Sequence, residues 1–377
     1  MIFTLNHLKR IPSNSKTQVM KNQHFTSILV LFVFCFGCST DAETPKDEPE
    51  TNALYFPPMD SDAWKTTSLA DLGWNENKLQ PLLDFLDEKN TKSFIVLHKG
   101  KIVIESYMNE HSSQKLWYWA SAGKTLTTAM AGIAQEEGLL NLNTKVSDYL
   151  GTGWTSATLD KENLITCKNL LSMTSGLDDS QGDGVASENL QYSADAGTRW
   201  AYHNVYVKMQ DVIAKTSNQS WTAYFNSKLR DRIGMNGSWT SLNDLSVYWS
   251  TTRSMARFSL LIAAHGKWGN TQIIPEQFLT KATNTSQDIN LAYGYLWWLN
   301  GKENYHLPQS QFQFNGNLIP AAPKDMYAAL GKNDQKIYII PSKEIVIVRM
   351  GNAADGDNFA LSNFDNELWL KLNDLLN

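Results

Sequence analysis

Strand-like runs sit near both ends of this chain and helical periodicity fills the region between them, and that placement constrains the fold more than any other feature. Ser93–Leu97 and Ile102–Tyr107 are rich in β-branched and aromatic residues and flank Lys99-Gly100-Lys101, which reads as a hairpin. Three further strand-like runs arrive late, at Tyr293–Leu299, Ile337–Ile340 and Ile345–Met350. Ahead of the hairpin, Leu79, Leu82, Leu83 and Leu86 recur at helical spacing after Asn75. A long helix is expected from Ser121, with Ala122, Leu126, Ala129, Met130 and Ile133 on its apolar face and Gly138 as its stop. The stretch 143–284 reads as mostly helical, for example over Val205–Ala214, Trp221–Leu229 and Met255–Ala264, and a closing helix over 361–376 carries Leu368, Leu372, Leu375 and Leu376. Strands from both ends with helices inserted between them imply an α+β fold. One antiparallel sheet would be assembled from the two chain ends and covered by the terminal helices. A helical lobe would be inserted, leaving a cleft where ligands bind.

Composition narrows the class. A chain 42% hydrophobic and 19% charged is neither a polytopic membrane protein nor a disordered one. Lys and Arg total 33 against 38 Asp and Glu, so the surface lacks the basic excess that tracking a phosphate backbone requires, and no nucleic acid partner is expected. Ile28–Gly37 is apolar, too short to span a bilayer, and fits a secretory h-region, with Met20-Lys21 as start and n-region. The run ends Cys35-Phe36-Gly37-Cys38, which resembles a bacterial lipoprotein signal, with lipidation expected at Cys38. Cys35 stands where Leu is usual, and an ordinary cleaved signal peptide is the other reading. Either way the expectation is an exported protein, periplasmic or in the cell envelope, touching membrane only through an N-terminal lipid anchor. The expected layout is a signal segment over 1–38, an acidic flexible tether over 39–55, and one domain over 56–377. That domain keeps a single thiol, Cys167, and can form no disulfide of its own.

Three stretches could carry chemistry. In Ser121-Ala122-Gly123-Lys124 the three-residue spacing returns Lys124 to the face of Ser121. Serine needs a base to become a nucleophile, and an apolar helix lowers the proton affinity of a lysine enough for it to serve. The spacing alone is weak, since Ser13 and Lys16 repeat it. A phosphate loop would need glycine at Tyr118, and a nucleophile elbow would need glycine at Trp119. The second stretch is Tyr202-His203-Asn204, where a phenol could share proton transfer and an amide could hold a substrate carbonyl. Tyr107-Met108-Asn109 and Tyr224-Phe225-Asn226 match the same pattern, but Tyr202 follows a turn-like Ala196-Gly197-Thr198 and precedes a helix. The third is Gly331-Lys332-Asn333-Asp334-Gln335. It reads either as a strand edge that offers a backbone N–H to an oxyanion or as a polar hairpin tip.

Taken in order, these stretches resemble the serine β-lactamase and penicillin-binding-protein superfamily, and are most similar to class C β-lactamases, β-lactamase-like esterases and 6-aminohexanoate-dimer hydrolases. The family pattern is Ser-x-x-Lys, then Tyr-x-Asn, then a Lys-Thr-Gly or His-x-Gly strand. Leu170–Leu177, Tyr293-Gly294-Tyr295 and Pro341–Val348 match in support, and the likeness runs from about Phe94 to the C-terminus. The resemblance implies Ser121 as acylated nucleophile, with Lys124 and Tyr202 as proton-transfer pair. It further implies Asn204 as substrate-positioning amide, Lys332 as third-motif cation and the Gln335 N–H as second oxyanion donor, with the Ser121 N–H as the first. It implies no metal or organic cofactor, and a small ester, amide or peptide as substrate. The third motif departs from the pattern, because Asn333 replaces a hydroxyl or small residue and Asp334 replaces a glycine. In a regular strand Lys332 and Asp334 would share a face, so Asp334 would offset the cation. The expectation is therefore esterase or amidase activity ahead of efficient turnover of penicillins and cephalosporins. A D-amino-acid peptidase or a catalytically silent binding lipoprotein of the same fold remains the alternative.

Other residues carry structural expectations. His203 should turn away from its neighbours in an extended segment, and Cys167 should be a buried small hydrophobe. One ring of Trp297-Trp298 should point inward and the other outward. The Asp178–Gly184 stretch lacks the residues of a calcium loop and reads as solvated.

Overall fold

The computed structural model describes residues 53–242, 245–356 and 360–377; the expected signal segment and nearly all of the tether lie outside them. Strands β1 (Thr91–His98) and β2 (Lys101–Tyr107) form the early hairpin, turning through Lys99 and Gly100 with φ of 48° and 78°. A short strand β3 (Trp117–Tyr118) pairs with β5 (Leu245–Ser250), which also pairs with β4 (Ser238–Leu242). This small sheet interrupts a region expected to be mostly helical. Two more small hairpins follow, β6 (Lys267–Trp268) with β7 (Thr271–Gln272), and β9 (Asn304–His306) with β10 (Gln313–Asn315). Between them β8 (Trp298–Leu299) joins the main sheet, as do β11 (Tyr327–Gly331), β12 (Gln335–Ile340) and β13 (Ile345–Gly351). The main sheet runs β2-β1-β13-β12-β11-β8 with every pair antiparallel, so strands from the two chain ends meet at β1 and β13 as the sequence pattern implied.

Helices cover both faces of this sheet, which is why β12 and β13 are buried at every position, with apolar runs Ile337–Ile340 and Ile345–Val348 broken only at their ends by Gln335, Lys336 and Arg349. One face receives α1 (Leu79–Glu88) and, at the other end of the chain, α10 (Asn363–Leu376), whose Phe364 stacks on Phe85 at 5.8 Å. Between these in sequence come α2 (Lys124–Glu136), α3 (Val146–Leu150), α4 (Leu159–Glu162), α5 (Cys167–Ser172), α6 (Val207–Ser217), α7 (Trp221–Phe225), α8 (Thr252–Ala263) and α9 (Glu276–Ala282). Helix α8 lies on the second face of the sheet, where Thr252 meets Ser93 at 2.5 Å. The others build the lobe, with α2 against α6 and α9, and α6 against α3, α5 and α7. Close approach of α2 to α9 needs Gly132, since a Cβ there would fall 2.5 Å from the Phe278 ring.

Four charged side chains lie in the interior on the α10 face. Lys336 Nζ is 3.1 Å from Asp334 and 2.7 Å from Asp365, and Arg349 donates to the Asp334 carbonyl at 2.7 Å. Two cations meet two carboxylates, and Tyr338 donates a further hydrogen bond to Asp365, so the burial is electrically balanced. The Trp297-Trp298 expectation fails: only Trp298 is in a strand, and both rings are buried. Trp297 packs near Phe258 and Tyr327, while Trp298 turns toward Tyr202.

Candidate active site

Ser121 sits on a single 3₁₀ turn, Ala120–Gly123, that runs directly into α2. Trp119 anchors the turn from behind. It is fully buried, its indole N–H donates to Ser250 Oγ at 2.8 Å, and its backbone N–H bonds to the Tyr248 carbonyl at 2.9 Å. Ala120 takes φ of 47°, an uncommon conformation for a residue with a Cβ, immediately before the serine. Strand β11 packs on the other side of the turn. Gly331 makes that approach possible, since its Cβ would stand 2.6 Å from the Trp119 carbonyl oxygen.

Lys124 opens α2 and returns to the serine as the spacing implied: Nζ donates to Ser121 Oγ at 2.8 Å. Only 3% of Lys124 is exposed. Burial drives its ammonium down to about 7, with the Asp183 carboxylate pulling weakly the other way. Nζ also lies over two aromatic rings, Tyr202 at 4.9 Å and Tyr206 at 4.8 Å from the centroids. Burial pushes the Tyr202 phenol up to about 12, opposed by a hydrogen bond with Ser121. At neutral pH this phenol is therefore a proton donor, while the lysine divides between its two forms. Tyr202 stacks on Trp298 at 5.7 Å and meets Tyr293 edge-on at 6.2 Å, so an aromatic wall continues from the Ser121–Lys124 pair.

Asn204 begins the 3₁₀ turn Asn204–Tyr206 that enters α6, and its amide donates to the Asp183 carbonyl and carboxylate at 3.2 and 3.1 Å. The amide is thus joined to the loop ahead of the 3₁₀ turn Ser187–Asn189. His203 is buried, and neither ring nitrogen has a hydrogen-bond partner among the described residues; burial lowers its pKa. Cys167 is buried at the start of α5, where burial pushes its thiol up to about 12. In the Asp178–Gly184 stretch, Asp178 accepts from Ser180 and Gln181, and Asp179 pairs with Arg199 at 2.6 Å.

The third stretch is a hairpin tip, not a regular strand edge. Gly331 of β11 faces Gln335 of β12, and Asn333 and Asp334 between them take φ of 60° and 57°. Two expectations change. Asp334 does not share a face with Lys332, because the left-handed turn sends it into the interior. There it pairs with Lys336 and accepts from Ser362 Oγ and the Ala354 N–H. Gln335, expected as the second oxyanion donor, lies on β12 between β11 and β13, so it is β11 that presents a sheet edge beside the serine turn. Its side chain instead ties the hairpin to β13, donating to the Gly351 carbonyl at 2.6 Å and accepting from the Gly351 N–H at 3.1 Å. Lys332 is exposed at the tip. Strand β8 pairs only with Tyr327 and Ala328, so the edge of β11 beyond Ala328 is left unpaired by β8, beside the serine turn. Sequence reasoning missed Tyr206 and β11 itself; a second tyrosine four residues after Tyr202 was the only visible sign of the former.

A model of the family described as Beta-lactamase matches residues 88–368. Among curated proteins, none matches the chain in sequence. Among solved structures, the chain is similar to a protein described as a 6-aminohexanoate-dimer hydrolase from Bacillus anthracis, with 18% identity, a TM-score of 0.65, and 86% of this chain and 90% of that one covered. It is also similar to a family VIII carboxylesterase at 14% identity, a TM-score of 0.61, and 78% and 95% coverage. A penicillin-binding protein from Bacillus halodurans aligns at 15% identity, a TM-score of 0.55, and 77% and 99% coverage. At such identities the likeness is one of fold. The family match spans most of the domain and encloses the serine turn, Tyr202 and the β11–β12 hairpin, so this chain belongs to the Beta-lactamase family.

Proposed function

We propose that this chain is an exported serine hydrolase that cleaves an ester or amide bond through an acyl-enzyme on Ser121. The observation that carries the reading is the 2.8 Å contact from a buried Lys124 to Ser121 Oγ, because a desolvated lysine can hold a free electron pair at neutral pH. Lys124 takes the Ser121 proton as Oγ attacks the substrate carbonyl. The neutral Tyr202 phenol protonates the leaving group as the Lys124 ammonium returns a proton to the phenol. Water, giving its proton to the neutral Lys124, then attacks the acyl carbon, and Lys124 passes that proton back to Ser121 Oγ as the acyl bond breaks. The N–H of Ser121 and an outward N–H from the β11 edge beyond Ala328 supply the oxyanion donors. The site groups are drawn from the protein itself, and the steps need no metal or organic cofactor.

The bridge from Asn333 Nδ2 to Tyr118 OH, at 2.6 Å, favours small acyl groups. It joins the hairpin tip to the strand leading into the serine turn, with side chains where the family pattern has a hydroxyl or a small residue. Small esters and amides are therefore proposed as substrates ahead of penicillins and cephalosporins. Export and lipidation at Cys38 belong to the same proposal, supported by the apolar run that ends there. Incorporation of labelled palmitate that is lost in Cys38→Ala tests it.

A fluorophosphonate probe should label the wild type and not Ser121→Ala. Parallel assays on p-nitrophenyl esters, nitrocefin and D-Ala peptides should show ester turnover first. Labelling of neither protein would overturn the reading and favour a silent binding protein, and equal labelling of both would overturn Ser121 as the nucleophile. Efficient cephalosporin hydrolysis would overturn the substrate preference alone.

A further inference from the structure

The reaction above uses one of the two rings that face Lys124 and leaves the other unexplained. An ammonium has three donors. Among the described residues Lys124 has one hydrogen-bond acceptor, Ser121 Oγ at 2.8 Å, and is otherwise surrounded by ring faces and apolar groups. Such a cation is poorly solvated. The Tyr206 centroid lies 4.8 Å from Nζ, as close as the 4.9 Å of Tyr202, and both rings are held by the one segment that enters α6. A cation over a ring face gains more when water is excluded, as it is here.

We propose that Tyr206 is a positioning residue for the proton transfer: its ring face, with that of Tyr202, holds the Lys124 side chain against Ser121 and stabilises the ammonium that forms there. The inference rests on the hydrolase reading and deepens it. In the acylation step the Ser121 O–H bond breaks, Nζ takes the proton, and the freed electron pair of Oγ forms the bond to the substrate carbonyl carbon while the C=O π pair moves onto the carbonyl oxygen as the oxyanion. The new positive charge then sits over two rings instead of in bare hydrocarbon. Other groups facing this lysine are few. Asp183 approaches from its loop and favours the charged form, and buried His203 lies nearby. Tyr293, from the segment before β8, faces the two tyrosines. Burial keeps all three phenols neutral near pH 7, so the tyrosines act on Lys124 through their rings and not through charge.

The test replaces Tyr206 with Phe, with Leu, and with progressively fluorinated phenylalanines, which keep the ring shape while draining its negative face. Two readouts follow each protein: the titration of the Lys124 side chain by NMR, and the acid-side inflection of Ser121 labelling against pH. Tyr206→Phe should superpose on the wild type. Fluorination should move both inflections to lower pH in proportion, reaching about 0.5 to 1.5 pH units for the most fluorinated ring and for Tyr206→Leu. If Tyr206→Leu does not fold, the fluorinated series decides alone. A fluorinated series whose lysine titrates with Tyr206→Phe overturns the proposal. Failure of the hydrolase reading is separate, since it would appear as absent or Ser121-independent labelling while the NMR titration still reports on the ring.

Discussion

Adding one methyl group to Gly331 should cripple acylation with only a modest loss of stability. The backbone of Gly331 needs no left-handed conformation, so the effect of Gly331→Ala is one of contact alone. Its Cβ would stand 2.6 Å from the Trp119 carbonyl oxygen, 2.9 Å from the Ala122 nitrogen and 3.1 Å from Gln335 Cβ. Ordinary contact begins near 3.4 Å, so the serine turn and β11 must part by 3.4 − 2.6, about 0.8 Å. Two of the three obstructing atoms are backbone, and they flank Ser121 on either side, so no side-chain rotation relieves the overlap. Overpacking of this size costs about 1–3 kcal/mol of stability. A displacement near 1 Å between reacting groups costs about 10²-fold in rate, because the attack geometry is lost even where every group is present. The assay is the second-order rate of fluorophosphonate labelling, read beside the Tm. Gly123→Ala is the stability control: its Cβ would find Trp119 Cβ at 3.6 Å, and its helical backbone suits alanine, so its Tm should hold or rise. Labelling of Gly331→Ala at the wild-type rate with an unchanged Tm would show that β11 does not brace the serine turn.

The remaining predictions concern charge. Lys124→Met should abolish labelling and raise stability at neutral pH. The folded-state pKa of Lys124 is depressed to about 7, so between there and the usual 10.5 the unfolded chain binds a proton that the folded chain does not, and stability gains up to about 1.4 kcal/mol per pH unit as pH rises. Denaturant titrations from pH 7 to 10 should show that slope in the wild type and lose it in Lys124→Met. Asp183→Asn removes the carboxylate that holds the Lys124 ammonium up, so the acid-side inflection of labelling should fall to lower pH, most clearly at low salt. Asp365→Ala should cost about 3–5 kcal/mol, because buried Lys336 would lose one of its two carboxylates and the interior would keep two cations against one, whereas exposed Lys332→Ala should leave the Tm within a degree or two. A mild effect of Asp365→Ala in chemical denaturation would mean that the buried charges are not balanced as described.

How far the sequence could be read follows from where each signal is local. The Lys99-Gly100 hairpin, the α2 face and the Ser121–Lys124 return are set by residues a few positions apart, so periodicity was enough. Strand β11 escaped notice because Ala328-Ala329-Leu330-Gly331 has little β-propensity. Its small side chains are there to admit the serine turn, a requirement imposed by residues more than 200 positions away in sequence, between Gly331 and Trp119–Ala122. The third motif was read correctly as a hairpin tip in one of its two readings, but the consequence for Asp334 was drawn from the other. Treating Lys332–Gln335 as an extended strand put Asp334 beside Lys332, whereas Asn and Asp are the side-chain-bearing residues that best tolerate the left-handed conformation, and two together end a strand. That turn chemistry was visible in the sequence; its consequence, an aspartate delivered to Lys336 behind the sheet, was not. The departure from the family pattern at Asp334 is therefore a structural exchange. Where the family pattern has a glycine, this chain turns the backbone early and uses the side chain to neutralise buried Lys336, so the charge that acts on Lys124 is that of Asp183 and not of Asp334.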